Sequence, residues 1–470
     1  MTHVHFIGIG GVGMSGLAQA LLSRGVRVSG SDPHANAATE RLAEHGATVY
    51  SAQIPANIER ERPDLVVVTA AIPSDNPELT AAREAGITIV SRAEFLGRLM
   101  GEYGGPTIAI AGTHGKTTTT AMTAEVLLAG NLDPTVLVGG EYEAIGGNAR
   151  IGHGPVFLTE ACEAYDSFLS LRPRVTVLTN VEADHLDHYG TEENVFAGFR
   201  KFVGQTTGAL IWCSEDAGAL RMVHFEMQMD EGPRRVSYGL SPCGRDSVWA
   251  EDVVSEGGGS SYTLRYARDG EPQPDSTRVT VNLPGLHVVL NSLAAAAVGI
   301  EAGIPLLSIA EGIAAFRGTG RRFEKLGERD GALLIDDYAH HPTEIAATIA
   351  AARSAFPDRR LVVVFQPHLY SRTRDFMDRF AESLSAADVV LITDIYPARE
   401  KPIPGVNVTE LVRKIAEQAP ERSLLYVPTK SDSVNALKWV TKPGDLVITM
   451  GAGDVREIGE AFLSPQEAAA

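Results

Sequence analysis

Cysteine is scarce: three residues, Cys162, Cys213 and Cys243, in a chain of 470. They are too few and too scattered for a disulfide framework or a cysteine-based zinc site, and reduced thiols are expected. No HExxH segment offers a zinc alternative. No apolar run approaches the ~18 residues of a membrane span. The N-terminal stretch MTHVHFIGIGGVGMSG has neither a basic leader nor an apolar core ending in a cleavage site, so a cytoplasmic protein is expected. Positive charge is also short. Lys and Arg number 41 against 59 Asp and Glu, a formal net charge of −18. That balance excludes broad binding to nucleic acid or to an anionic membrane. It leaves room for phosphate ligands, which backbone N–H groups and a few local cations can hold. With 44% apolar and 21% charged residues the composition is that of a globular protein, and the length suits about three domains of roughly 150 residues.

What is present is an alternation of apolar strand, glycine turn and amphipathic helix, which predicts α/β architecture with parallel sheets. Val4–Ile9 reads as a strand, Met14–Arg24 as a helix, and Val26–Ser29 and Leu65–Thr69 as further strands. The loose stretch Gly101-Glu-Tyr-Gly-Gly-Pro106 marks a domain boundary before a new strand, Thr107–Ala111. The second block has strands near Val156–Thr159, Val175–Thr179 and Ala209–Trp212, a Gly/Ser-rich hairpin region at Glu251–Arg278 and an alanine-rich helix, Asn291–Ala302. A third block starts near Phe323, with strands Ala332–Ile335, Leu361–Phe365, Val389–Ile392 and Leu446–Met450. The C-terminal tail is expected to fray.

Two glycine loops lie between strand and helix. Gly8-Ile-Gly10-Gly11-Val-Gly13 matches G-x-G-x-x-G, with Asp32 about 20 residues further on at the end of the second strand. Such a loop lets backbone approach a diphosphate at a helix N-terminus, with an acidic group placed for a ribose hydroxyl. Gly112-Thr113-His114-Gly115-Lys116-Thr117-Thr118 is a shortened P-loop, because Ile110 stands where the strict pattern needs glycine. Its amides would cradle phosphates, its lysine would reach the β/γ-phosphates and Thr117 would ligate Mg²⁺. A dehydrogenase needs only the first loop and a simple NTPase only the second. An enzyme that uses ATP on a nucleotide-linked substrate needs both.

Two acidic clusters, Thr159-Glu160-Ala-Cys-Glu163 and Thr179-Asn-Val-Glu-Ala-Asp-His185-Leu-Asp187, follow predicted strands, at the sheet edge where open α/β folds bind ligands. Glu160 offers hard oxygen to Mg²⁺, and His185 suits a second ion.

Gly112–Thr119, Asn180-x-x-x-Asp184-His185-x-Asp187, Gly318-Thr-Gly-Arg-Arg-Phe323, Asp336-Asp-Tyr-Ala-His-His-Pro-Thr343 and Gln366-Pro-His-Leu-Tyr-Ser-Arg-Thr-Arg374 together resemble the Mur ligases, ATP-dependent amide-forming enzymes of bacterial cell-wall synthesis. The resemblance extends from Val4 to about Asp454 and is strongest to the branch that joins L-alanine to UDP-N-acetylmuramate. It implies a Rossmann-like UDP-substrate domain at 1–104, a central ATP-binding P-loop domain with a mostly parallel sheet at 105–321, and a C-terminal Rossmann-like α/β ligase domain at 322–470. It implies an acyl-phosphate route with ATP and Mg²⁺. Lys116 and Arg322 would serve the phosphates, and Thr117, Glu160 and His185 the metal. Asn291 would face adenine, Asp336 would join the ATP site, and Gly8, Gly10, Gly11, Gly13 and Asp32 would bind the UDP substrate. Tyr338, His340, His368 and Arg372 would lie beside the reacting carboxylate or the alanine, with Arg372 suited to grip an amino-acid carboxylate. Many relatives carry arginine where Leu369 stands. The alternatives are a recycling ligase that adds a whole peptide to the same UDP-muramic acid and, from the first loop alone, a nicotinamide-dependent oxidoreductase. Nothing in the sequence speaks to oligomeric state.

Overall fold

In a computed structural model, residues 2–226, 232–256, 258–398 and 400–464 are described. The tail expected to fray, Gln466–Ala470, lies outside them. Three sheets follow one another along the chain. The first has five parallel strands in the spatial order Thr48–Tyr50, Arg27–Ser31, His3–Ile7, Leu65–Val68, Thr88–Ser91. His3–Ile7 is buried at every position, as expected of a central strand covered on both faces.

The second sheet has eleven strands. Its parallel heart sets Val175–Leu178 and Phe157–Glu160 on either side of Thr107–Ala111. All three end at the same edge, so the loops after them converge. The expected hairpin region is an antiparallel extension, Ser247–Glu256 with Gly259–Arg268. The alanine-rich helix runs Leu286–Glu301, beginning five residues earlier than its composition suggested. Gly285 caps its start, and apolar Leu286, Val288 and Val289 carry the helix through its first turns, which places Asn291 inside it rather than at its end.

The third sheet holds six strands. Ala332–Asp337, Leu446–Met450, Leu361–Phe365, Val389–Ile392 and Ser423–Tyr426 are parallel neighbours in that order, and Glu324–Arg329 pairs antiparallel at the edge.

The first two units share an apolar seam. The helix Val12–Leu22 packs on strands Thr135–Tyr142 and Gly147–Arg150, and one buried cluster contains both Leu17 and Leu21 and Leu137 and Ala149. Gly97, in the helix Arg92–Gly101, lies so close to the middle unit that an added Cβ would sit 2.2 Å from the Ser170 carbonyl. No helix among the described residues is long and apolar enough to cross a membrane.

Candidate active site

The P-loop sits between the strand Thr107–Ala111 and the helix Lys116–Ala129. Gly112 has φ +134°, and a Cβ there would meet Thr179 Oγ1 at 2.0 Å. Gly115 has φ +79°, and a Cβ there would meet Asn291 Oδ1 at 2.8 Å. Glycine is needed at both for conformation and for space. The loop is braced from the neighbouring strand. His114 N–H donates to Asn180 Oδ1 at 2.7 Å, Thr179 donates to the His114 carbonyl at 2.7 Å, and Glu182 N–H donates to Thr113 Oγ1 at 2.9 Å.

Lys116 Nζ donates to the carbonyls of Gly112 (2.5 Å) and Thr113 (3.0 Å) and lies 2.9 Å from the Glu163 carboxylate. Burial works against the ammonium, but Glu163 overrides it and the lysine pKa is raised. Thr117 donates to Glu160 Oε2 at 3.3 Å, and Glu160 Oε1 accepts the Gly139 N–H at 2.5 Å. Burial raises the Glu160 carboxyl pKa, against the pull of Gly139 and Lys116. Thr117 and Glu160 are thus brought together as expected, a hydroxyl and a carboxylate of the kind hard cations take. His185 belongs to a second group, with Nε2 3.8 Å from Glu163 and its backbone left-handed at φ +52°. Glu163 joins the two groups. It belongs to the same acidic cluster as Glu160, and no spacing rule separates the two in the sequence.

A cavity of about 200 Å³ opens beside the loop, lined by Gly115, Thr118, Asn291, His287, Arg322 and Asp337 among others. Burial lowers the His287 pKa to about 4 and leaves that imidazole neutral. Asp336, expected here, lies elsewhere. Successive residues of a strand face opposite ways, and Asp336 points under the sheet, fully buried against Arg321 (3.1 Å) and Thr449 (2.7 Å). Its neighbour Asp337 lines the cavity, its pKa raised to about 6 by burial. Arg322 also lines the cavity, its guanidinium 5.1 Å from the Tyr338 ring centre and 3.8 Å from Glu344.

In the third unit Tyr338, His340, His368 and Tyr396 form a ring cluster, with centroid separations of 5.3, 6.0 and 5.7 Å along that order. Burial lowers the His340 pKa to about 3. Arg372 departs from expectation. It is 6% exposed and its fork is engaged by Asp184, with Nη2 2.9 and 3.1 Å from the two oxygens and Nε 3.2 Å from Oδ1. A guanidinium held that way is not free to grip an incoming carboxylate, because a buried fork must satisfy its donors locally.

A further cluster joins the second and third units. His114 Nε2 lies 3.1 Å from Glu182 and its Nδ1 3.2 Å from Glu344. His341 lies 3.7 Å from Glu182, Thr343 donates to it at 2.7 Å, and Arg379 reaches it as well. Burial opposes charge on His114, but its hydrogen bonds to both carboxylates raise its pKa to about 9. Burial raises the Glu182 carboxyl, yet His114, His341, Thr343 and Arg379 together bring it down to about 2. His114, Glu182 and His341 are close enough to share a cation. The imidazolium, Thr343 and Arg379 already satisfy that charge.

In the first unit Gly8 has φ +83° and donates to the Ser31 carbonyl at 2.8 Å. Gly10 N–H donates to Asp32 Oδ2 at 3.0 Å, and Oδ1 of the same carboxylate accepts the His34 N–H at 3.0 Å. Asp32 therefore braces the loop from within. Exposed Gly11 turns the chain, and Gly13 gives room to a residue no motif signalled: Arg92 Nη1 lies 2.8 Å from where a Gly13 Cβ would be. Among the described residues no carboxylate lies within 4 Å of that guanidinium.

Two glycine loops of the phosphate-binding kind on separate sheets, and a P-loop lysine among carboxylates, suit an enzyme that acts with nucleotides. Three family profiles match in order: the Mur ligase family catalytic domain over residues 3–103, the Mur ligase middle domain over 110–299 and the Mur ligase glutamate ligase domain over 321–453. The chain belongs to the Mur ligase family, which removes the nicotinamide alternative. It is 41% identical to the UDP-N-acetylmuramate–L-alanine ligase of Desulfatibacillum aliphaticivorans, over 98% of both chains. It is 45% identical to the protein of the same name from Sorangium cellulosum, over 97% of this chain and 94% of that one. Among solved structures, the UDP-N-acetylmuramate-alanine ligase of Thermotoga maritima matches with a TM-score of 0.78 at 27% identity, over 98% of each chain. A murein peptide ligase from Psychrobacter arcticus matches with a TM-score of 0.71 at 25% identity, also over 98% of each.

Proposed function

We propose that the protein joins L-alanine to the carboxylate of UDP-N-acetylmuramate, consuming ATP and releasing ADP and phosphate, in the cytoplasm. The observation that carries this reading is identity of 41% and 45%, nearly end to end, to two relatives bearing that activity in their names.

The residues suit the steps. The loop Gly8–Gly13 and the Arg92 guanidinium would hold the UDP diphosphate, since a cation without a carboxylate partner at a helix start favours an anion. The amides of Gly112–Thr118 and the Lys116 ammonium would hold the ATP phosphates, Asn291 and His287 the base, and Asp337 the ribose side. Arg322 would reach the γ-phosphate. Thr117 and Glu160 fit Mg²⁺, and His185 with Glu163 fits a second ion. Bound there, Mg²⁺ neutralises phosphate charge so that an anionic carboxylate can approach. A carboxylate oxygen attacks the γ-phosphorus and ADP leaves. The amine nitrogen of alanine then attacks the acyl carbon, loses a proton, and phosphate departs from the tetrahedral intermediate. The Tyr338–His340–His368 cluster closes this space against water, which would hydrolyse the acyl phosphate.

The test is ADP release with UDP-N-acetylmuramate and either L-alanine or a muramyl tripeptide as acceptor. Alanine is expected to support turnover at least tenfold better. Preference for the peptide would transfer the protein to the recycling class. Chelation of Mg²⁺ is expected to stop both ADP release and amide formation.

A further inference from the structure

His185 is in a left-handed conformation, uncommon for a non-glycine residue. The restraint is its own neighbour. Asp184 Oδ1 accepts the His185 N–H at 2.8 Å, and the same oxygen takes Arg372 Nη2 at 2.9 Å and Nε at 3.2 Å. Arg372 comes from the third unit, 188 residues away, on the helix Tyr370–Asp375. Its Nη1 lies 3.2 Å from His368 Nδ1, in the acceptor-side cluster. On the other side, His185 Nε2 faces Glu163 at 3.8 Å, and Glu163 meets Lys116 at 2.9 Å. A continuous chain of contacts runs from the acceptor cluster to the P-loop lysine, and Asp184 is the only member that touches both His185 and the third unit through charge-assisted bonds.

We propose that Asp184 is a positioning residue, the clasp through which docking of His368 and Arg372 sets the His185 imidazole. The inference rests on the reading of His185 as a metal-side residue. Both partners of the clasp are nearly buried, Arg372 at 6% and Asp184 at 9% side-chain exposure, so the pair has fixed geometry and is not a screened surface contact. The bidentate fork matters, because one lysine point charge could neutralise Asp184 but could not fix its plane. In this arrangement the third unit must be seated before His185 is aligned, which links the acceptor side to the phosphate side without shared ligands.

The experiment measures Mn²⁺ binding by electron paramagnetic resonance, with a non-hydrolysable ATP analogue present and no turnover. Arg372→Lys keeps the charge and removes the fork; Asp184→Asn keeps an acceptor for the His185 N–H and removes the charge. Both are expected to weaken Mn²⁺ binding at least tenfold while UDP-N-acetylmuramate affinity stays within twofold. Turnover is expected to fall with the KM for alanine within twofold. If Arg372→Lys raises the KM for alanine tenfold and leaves Mn²⁺ binding unchanged, Arg372 grips the acceptor directly and the clasp is overturned. Should Asp184→Asn not fold, Arg372→Lys alone decides between these outcomes. A wild-type protein that binds Mn²⁺ but makes no amide would refute the ligase reading and leave the clasp to be judged by the binding data.

Discussion

The middle unit meets its two neighbours in opposite ways. Toward the first unit it presents apolar surface and close backbone: Leu137 and Ala149 against Leu17, and Ser170 against Gly97. Toward the third it presents charge: Glu182 to Thr343 and Arg379, His114 to Glu344, Asp184 to Arg372. The apolar core of the third unit touches the middle one at the half-buried Ala183 and Leu186. Apolar burial is non-directional and cumulative, so the first contact is a weld. Ion pairs trade against water and depend on geometry and pH, so the second suits a joint that opens and closes. The Gly8–Gly13 loop belongs to the pair joined by apolar contact, and the Tyr338–His340–His368 cluster to the unit joined by charge.

The largest effect expected is at Lys116, between the two contacts. Lys116→Ala should reduce ligation about 10²–10³-fold, in the range seen when a preorganised donor is removed. UDP-N-acetylmuramate affinity, measured by calorimetry, should stay within threefold, and joint loss of both would contradict the separation of the two loops. Next comes the weld. Gly97→Val forces a side chain into the Ser170 carbonyl and should cost about 1–3 kcal/mol, seen as a lower Tm in scanning calorimetry. An unchanged Tm would show the seam to be loose. Gly10→Val places carbon within 3 Å of Thr39 and Asp32, and should weaken UDP-substrate binding about tenfold, roughly 1.4 kcal/mol, with ATP-analogue binding intact.

The charged contact between the second and third units is predicted to be sensitive to pH. The folded-state pKa of His114, about 9, exceeds its ordinary 6.5. Its contribution is therefore complete below pH 6.5 and is lost as pH rises through 9. Thermal unfolding of the wild type between pH 6 and 10 should show that loss, and His114→Gln should flatten it; parallel curves would remove His114 from the joint. The smallest effect is expected at Arg379, whose side chain is 45% exposed. Arg379→Ala should change stability by about 0.2–1 kcal/mol, as exposed pairs do.

Local rules explain why some residues were legible and others were not. Lys116 and Thr117 follow a strand and open a helix, so their placement needs only the chain around them. Glu160 lies at the end of its strand and meets Thr117 as expected. Asp336 failed because two adjacent aspartates end one strand, and only the packed sheet says which of them faces the cavity. Arg372 is a different case. Its spacing says that a guanidinium is available, while its actual partner, Asp184, lies 188 residues earlier. Glu163 and Arg92 were overlooked because their importance consists of what folding brings beside them.

The order of motifs along the chain was enough to define three α/β units, two phosphate loops and the ligase family, because backbone conformation at a glycine turn and strand burial are set by neighbouring residues. Which carboxylate bridges lysine to histidine, which aspartate lines the cavity, and which arginine ties the third unit to the second were decided by tertiary structure alone. Those contacts join distant segments, and the energy of a charge depends on what surrounds it in space.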